Sequence, residues 1–123
     1  MKASFKDRLN MAMEMREMKA SDLCEKCNIP KSAMSYYTGG RSEPKSPRLY
    51  LIAKALDVSE AWLLGYDVEM DRPAKQKELD ALASVAERMK NEKEFRELII
   101  KINTLNSAQL DAVKSVVAEF PQQ

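Results

Sequence analysis

The chain has 123 residues, with 20 Lys+Arg against 19 Asp+Glu and a formal net charge of +1 at pH 7. That length supports one compact domain, or a small domain with a short appendage. With 32% charged and 45% apolar residues it can bury a core, while 3 Gly and 5 Pro are too few for a sandwich or barrel of many tight turns.

There is no His, which removes the commonest general base, the Ser-His-Asp triad and most catalytic zinc sites. Neither G-x-G-x-x-G nor the P-loop pattern occurs, so dinucleotide and nucleotide-phosphate chemistry have no support. No apolar run approaches the roughly 20 residues that span a bilayer. The polar, amphipathic N-terminus Met-Lys-Ala-Ser-Phe-Lys-Asp-Arg lacks a signal-peptide core. A cytoplasmic binding protein is expected, with no catalytic residues, no metal, no cofactor and no membrane partner.

The hydrophobic period is helical almost throughout. Phe5, Leu9, Ala12 and Met18 share a face of a predicted first helix over 5–18. A short second helix runs through Asp22-Leu23-Cys24-Glu25-Lys26-Cys27 and ends at Asn28, which tolerates the left-handed conformation of a helix C-terminus. Pro30 starts a third helix, since proline is accepted in a first turn, and Thr38-Gly39-Gly40 stops it.

After a loop over 41–45, Ser46 reads as an N-cap and Pro47 as the first residue of a fourth helix, with Leu49, Ile52, Ala53 and Leu56 as its buried stripe. Ser59 caps a short fifth helix over 60–64, and Gly65 closes it. Five helices joined by short turns make a compact bundle.

Residues 67–73 hold few core candidates and include Pro73, so a linker is predicted there. Three amphipathic stretches follow. The first carries Leu79, Leu82, Val85, Ala86 and Met89; the second Phe95, Leu98, Ile99, Ile102 and Leu105; the third Leu110, Val113, Val117 and Phe120, ended by Pro121. Asn106 with Gln109 fits a capping box, and Leu105 with Leu110 its hydrophobic staple. Such helices bury little alone; they need each other, the bundle or a second copy of the chain.

The stretch between Lys19 and Pro44 is the informative one. A short helix, a turn of about three residues and a second helix form a helix-turn-helix, which offers its second helix to the DNA major groove. The geometry wants a small residue where the helices cross, and Cys24 stands there. It wants a turn residue with φ > 0, which Asn28 suits. Ile29 and Met34 supply the apolar positions at the turn and inside the second helix.

At these residues the chain resembles the lambda-type phage repressors, the Xre-type helix-turn-helix regulators. The likeness runs through Leu23-Cys24-Glu25-Lys26-Cys27-Asn28-Ile29 and Lys31-Ser32-Ala33-Met34-Ser35-Tyr36-Tyr37. Gly40-Arg41-Ser42-Glu43-Pro44 resembles the family's Gly-basic-x-x-Pro loop. Ile52-Ala53-Lys54-Ala55-Leu56-Asp57-Val58-Ser59 and Trp62-Leu63-Leu64-Gly65 resemble its fourth and fifth helices. The likeness covers roughly half the chain, and the order and spacing of the pieces make it specific. The chain departs from the family at Lys19-Ala20, where Thr-Gln is usual, at Asn28 for Gly, and at Pro30 for a capping Ser or Thr.

The resemblance implies a five-helix lambda-repressor-like DNA-binding bundle over 1–66; with the linker over 67–73 and a small helical oligomerisation region over 74–123 read from the apolar pattern, the expected fold is all-α. It implies a recognition helix at 31–38, with Lys31, Ser32, Ser35 and Tyr36 reading base edges. Lys19, Arg41, Lys45, Ser46 and Arg48 would hold phosphates. Lys donates to guanine O6 and N7, and Ser exchanges hydrogen bonds with either strand. Phosphate contacts fix register without reading sequence.

Charge by segment agrees. Residues 1–66 hold 11 basic and 8 acidic side chains, net +3, and residues 67–123 hold 9 and 11, net −2.

Other residues have plainer readings. Zinc would want four ligands, and Cys24-x-x-Cys27 is accompanied by no other Cys and no His, so two buried free thiols are expected. Of Met11, Met13, Met15 and Met18, Met11 and Met15 are expected outside the core. Trp62 reads as a core anchor, Tyr37 as inward and Tyr36 as facing DNA, and the charge run over 90–97 as a solvated face.

Phe95, Leu98, Ile99, Ile102, Leu110, Val113, Val117 and Phe120 are expected to mediate dimerisation, because one helix-turn-helix reads only a short half-site. The function so implied is a sequence-specific transcriptional repressor, of the phage or prophage lysogeny kind, binding palindromic operators as a homodimer or higher oligomer. Larger relatives carry a self-cleaving peptidase-like domain that some fifty helical residues cannot form, so an antirepressor protein or ligand would release it. The alternative is the antitoxin of a toxin–antitoxin pair, autoregulating through the same motif.

Overall fold

A computed structural model describes residues 3–121, which fold into eight α-helices with no strand among them. They are α1 (Phe5–Met15), α2 (Ala20–Cys27), α3 (Lys31–Thr38), α4 (Ser46–Leu56), α5 (Glu60–Leu63), α6 (Ala74–Asn91), α7 (Lys93–Ile102) and α8 (Ser107–Val117). The residues up to Asp80 form one compact unit and those from Ala81 a second, with α6 running through the division. The all-α class and the five-helix, lambda-repressor-like N-terminal bundle agree with the sequence reading.

Local chemistry explains the helix ends. Ser4 Oγ accepts from the Asp7 N–H at 3.4 Å and starts α1, and Ser59 Oγ accepts from the Trp62 N–H at 3.3 Å and starts α5. Asn28 takes the left-handed conformation at φ 53°, and the N–H of Ile29 returns to the Cys24 carbonyl. Before α2, the Lys19 N–H donates to Asp22 Oδ2 at 3.0 Å.

Several boundaries differ from the sequence reading: Pro30 is the N-cap of α3 rather than its first residue, α5 ends at Leu63 rather than at 64, and α1 and α4 differ as well. α1 ends at Met15, not Met18, because Glu17 turns left-handed at φ 52° and the Met18 N–H closes a Schellman motif on the Met13 carbonyl. Met18 still packs on the core, but from the turn. The N-cap of α4 is Lys45, so Ser46 is the first helical residue and Pro47 the second.

The core of the first unit is one cluster. Phe5, Leu9 and Ala12 of α1 meet Leu23, Cys24 and Cys27 of α2, Met34 and Tyr37 of α3, and Leu49, Ile52, Ala53 and Leu56 of α4. Ile29, Val58, Trp62 and Leu63 complete it. Met11 and Met15 lie outside, and Trp62 and Tyr37 lie inside. The Arg8 guanidinium stacks over the Trp62 ring and donates to the Trp62 and Tyr66 carbonyls, each at 2.6 Å.

The stretch over 67–73, expected as a linker, is tied to the bundle at its C-terminal end. The Ser59 N–H donates to the Met70 carbonyl at 2.8 Å, Val58 and Asp71 form an isolated antiparallel bridge, and Arg72 is buried at 3% exposure. Arg72 makes a bidentate pair with Asp80, Nε to Oδ2 at 2.6 Å and a terminal nitrogen to Oδ1 at 3.0 Å. It also donates to the Val58 carbonyl at 3.1 Å and to Glu60 at 3.3 Å. Burying a charge is tolerable when its donors are satisfied in this way.

In the second unit, Asn106 and Gln109 form the expected reciprocal capping box at 2.9 and 3.1 Å. Arg88 stacks on Phe95, and Arg96 donates to the Met89 carbonyl at 2.8 Å. No residue of α7 or α8 is buried within the single chain.

Candidate nucleic-acid interface

α3 is amphipathic in a simple way. Met34 and Tyr37 point into the core and anchor the helix, while Lys31, Ser32, Ser35 and Tyr36 are all exposed. Their spacing of i, i+1, i+4 and i+5 puts them on one face. An α-helix with its side chains is about 10–12 Å across, which the B-DNA major groove, about 12 Å wide, admits.

Contacts at both ends hold this face in position. At its start, Pro30 sits extended at the N-cap with φ −60°, the value its ring imposes. At its end, Asn10 donates to the Thr38 carbonyl at 3.1 Å and to the Lys6 carbonyl at 2.8 Å, bridging α3 to α1. Gly40 then reverses the chain at φ +78°, and the Arg41 N–H returns to the Tyr36 carbonyl at 2.9 Å. A Cβ at Gly40 would stand 2.9 Å from Lys6 Cδ, so glycine suits both the turn and the space.

The basic residues flank α3. The Arg41 guanidinium lies over the Tyr36 ring, 5.8 Å from its centre. Arg48 donates to the Tyr37 hydroxyl at 3.0 Å, which ties the first turn of α4 to the buried side of α3. Lys45 and Ser46 are exposed where α4 begins, and no side chain caps that end. Uncapped N–H groups and the positive end of the helix dipole favour an anion there. Lys19 is exposed at the start of α2.

Two hollows take in four of the predicted residues, while Lys19, Ser32, Tyr36, Arg41 and Ser46 line neither. Lys31 and Ser35 line a groove between α2 and α3 with Ala20, Ser21, Cys24, Met34 and Thr38. Lys45 and Arg48 line another with Tyr37, Ser42, Glu43 and Pro47. Glu43 lines the same hollow, so its negative charge lowers the net charge there. Sequence reading passed over Asn10, the polar side chain that fastens α3 to α1; its signal is a lone Asn one position from the apolar stripe of α1.

Both thiols are free and buried, and burial, with Cys24 adding to it, pushes the Cys27 thiol above its ordinary value. Such a thiol is a poor nucleophile and a poor ligand. No group of three or more Cys, Asp or Glu among the described residues is placed to hold a metal ion. No described helix is long and apolar enough to cross a membrane.

The model of the helix-turn-helix family matches residues 9–63. That span contains α2, α3 and α4, the turn at Asn28 and every base- and phosphate-contacting candidate. A transcriptional regulator from Listeria innocua is similar in structure over 96% of this chain and 92% of its own, at 17% identity and a TM-score of 0.49. No curated protein matches the chain.

Proposed function

We propose that the chain is a DNA-binding transcriptional regulator, a reading supported by the match of residues 9–63 to the helix-turn-helix family model, and more narrowly a repressor of the phage-lysogeny type that binds palindromic operators as a homodimer. The observation that carries the DNA-reading role is the outward face of α3. Lys31, Ser32, Ser35 and Tyr36 project from a helix whose opposite side is locked in the core. In the proposed pose these four contact base edges in the major groove. Lys19, Arg41, Lys45, Ser46 and Arg48 hold the phosphates on either side. The organisation is a DNA-binding domain over 1–66 and an oligomerisation region over 74–123. The protein acts without catalysis, in the compartment that holds the DNA, and an antirepressor protein or ligand releases it.

Apolar exposure supports the dimer. Leu98, Leu110, Val117 and Phe120 are exposed, and Phe95, Ile99, Ile102 and Val113 are only half-buried within one chain. Exposed apolar side chains in such number are stabilised when a partner covers them. The DNA-binding region carries a net charge of only +3, and coupling two copies raises affinity through effective concentration.

In vitro selection of bound duplexes at defined salt tests the reading. A palindromic consensus with half-sites one helical turn apart, about 34 Å, supports it; enrichment of no sequence refutes base readout. Leu98→Lys and Phe120→Lys variants of the 123-residue chain should sediment as monomers and bind the two-half-site operator more weakly. Variants that remain dimeric with unchanged affinity would remove the assigned interface.

A further inference from the structure

We propose that Arg41 is a specificity-determining positioning residue: its guanidinium holds the Tyr36 ring on the outward face of α3, and so sets the base preference that Tyr36 confers. The inference rests on the base-reading role of α3 proposed above and deepens it.

Tyr36 is the one aromatic side chain among the four proposed base readers, and it is 48% exposed. Its neighbours three and four residues away are Ser32, Ala33 and, past the helix end, Gly39 and Gly40. Residues so small give a ring little to pack against. A ring free to exchange rotamers must give up that freedom when it meets a base, which weakens readout.

The end of α3 supplies the missing contact. With Gly40 left-handed at φ +78°, the Arg41 N–H returns to the Tyr36 carbonyl at 2.9 Å and the Gly40 N–H to the Tyr37 carbonyl at 3.3 Å. These two bonds make a Schellman motif. In such a motif the residue after the left-handed one comes to lie against the third-last residue of the helix, usually through an apolar contact. Here that pair is Arg41 and Tyr36, and the contact is a guanidinium 5.8 Å from the ring centre, within the range of cation–π attraction. The negative end of the α3 dipole favours a cation at the same place.

The surrounding turn is well fastened. The Ser35 carbonyl accepts from the Gly39 N–H at 3.0 Å and the Thr38 carbonyl from Asn10 at 3.1 Å. The backbone that carries Arg41 is therefore tied to the backbone that carries Tyr36. A guanidinium stacks by its face and donates by its edge, so Arg41 can hold the ring while it contacts a phosphate. An ammonium is a point charge without a face. Lysine at this position keeps a cation for the phosphate and gives up the planar stack, which separates the two roles.

The test measures binding of the 123-residue chain to its selected site and to the same duplex with each base pair exchanged in turn. Wild type is compared with Tyr36→Ala, Arg41→Lys and the double variant, each checked for native Trp62 fluorescence. Tyr36→Ala should flatten the preference at one base pair. Arg41→Lys should lower the preference at that same pair by about two- to fivefold and spare the preferences at the others. In the Tyr36→Ala background it should lower that preference no further. Its salt slope should match the wild type, since the cation remains. Three results would overturn the proposal: an Arg41→Lys protein with wild-type preference at that pair, one with equal loss at every pair, or a loss that persists undiminished without Tyr36. Loss of the native Trp62 signal in Arg41→Lys would overturn it too, because Arg41 would then serve the fold. A Tyr36→Ala protein that keeps every base preference removes the base-reading role of Tyr36 itself, a failure visible in that single variant and distinct from the rest.

Discussion

Replacing Asp80 by Asn isolates the electrostatic part of its bidentate pair with Arg72, because the amide keeps the shape of the carboxyl and mimics its protonated charge. The guanidinium beside it is the largest influence and lowers the Asp80 carboxyl from 3.8 to about 2. A tenfold change in a proton-binding constant corresponds to about 1.36 kcal/mol, so ionised Asp80 contributes at most about 2 kcal/mol to the stability of the first unit. The sign follows from the lowered value. The contribution is fully present above the ordinary carboxylate range and is lost as pH falls through about 2.

The single Trp, Trp62, is buried in the same unit and reports its unfolding selectively. Denaturant titrations of wild type and Asp80→Asn, followed by Trp62 fluorescence at pH 7, 4, 3 and 2, give the stability gap at each pH. Other carboxylates titrate alike in both proteins and largely cancel in that gap. The gap should be largest at pH 7 and shrink by about 2 kcal/mol towards pH 2, with most of the change below pH 4. A gap of constant size would refute the ion pair as its source. One that grew on acidification would reverse the sign and sink the reasoning altogether.

Within the proposed interface, Lys31→Ala should relax preference at one base position by about 1–3 kcal/mol. Arg48→Ala should weaken all sequences together and reduce the salt slope by about one, read from binding isotherms between low and moderate salt. Glu17→Gly should stabilise the first unit by up to about 1 kcal/mol in a thermal melt, since Glu17 occupies the left-handed region that glycine enters without a steric cost. A destabilised Glu17→Gly protein would mean that the side chain contributes more than its backbone conformation costs.

The N-terminal bundle was legible because its signals are local. Ser59 announces a helix start within three residues and Asn28 announces a stop, and in the second unit the Asn106–Gln109 pair announces a start in the same way. The outward face of α3 was legible for the same reason: one helical period separates Met34 and Tyr37 from Lys31, Ser32, Ser35 and Tyr36. Glu17 hid the end of α1 because an acidic residue is an uncommon left-handed cap, and Met18 happened to fall on the apolar period.

Arg72 was illegible for a different reason. Hydropathy assigns an Arg before a Pro to solvent, and its partners are distributed over α5, α6 and the turn at Val58. No window of sequence contains that arrangement, so a segment with few apolar residues read as a tether. Phosphate-contact candidates fall between these cases. Their exposure follows from polarity, but the hydrogen bond from Arg48 to Tyr37 depends on how α4 crosses α3.

The division of labour within α3 bears on how such a protein acquires a new target. Met34 and Tyr37 do the holding, and Lys31, Ser32, Ser35 and Tyr36 take no part in the core. Exposed positions free of packing usually tolerate exchange within about half a kcal/mol of folding stability. The alphabet at those four sites can therefore be rewritten, by drift or by design, while the scaffold stays intact. Under the proposed mode of base readout, a lineage can change the operator it answers to in single steps, each intermediate still folded.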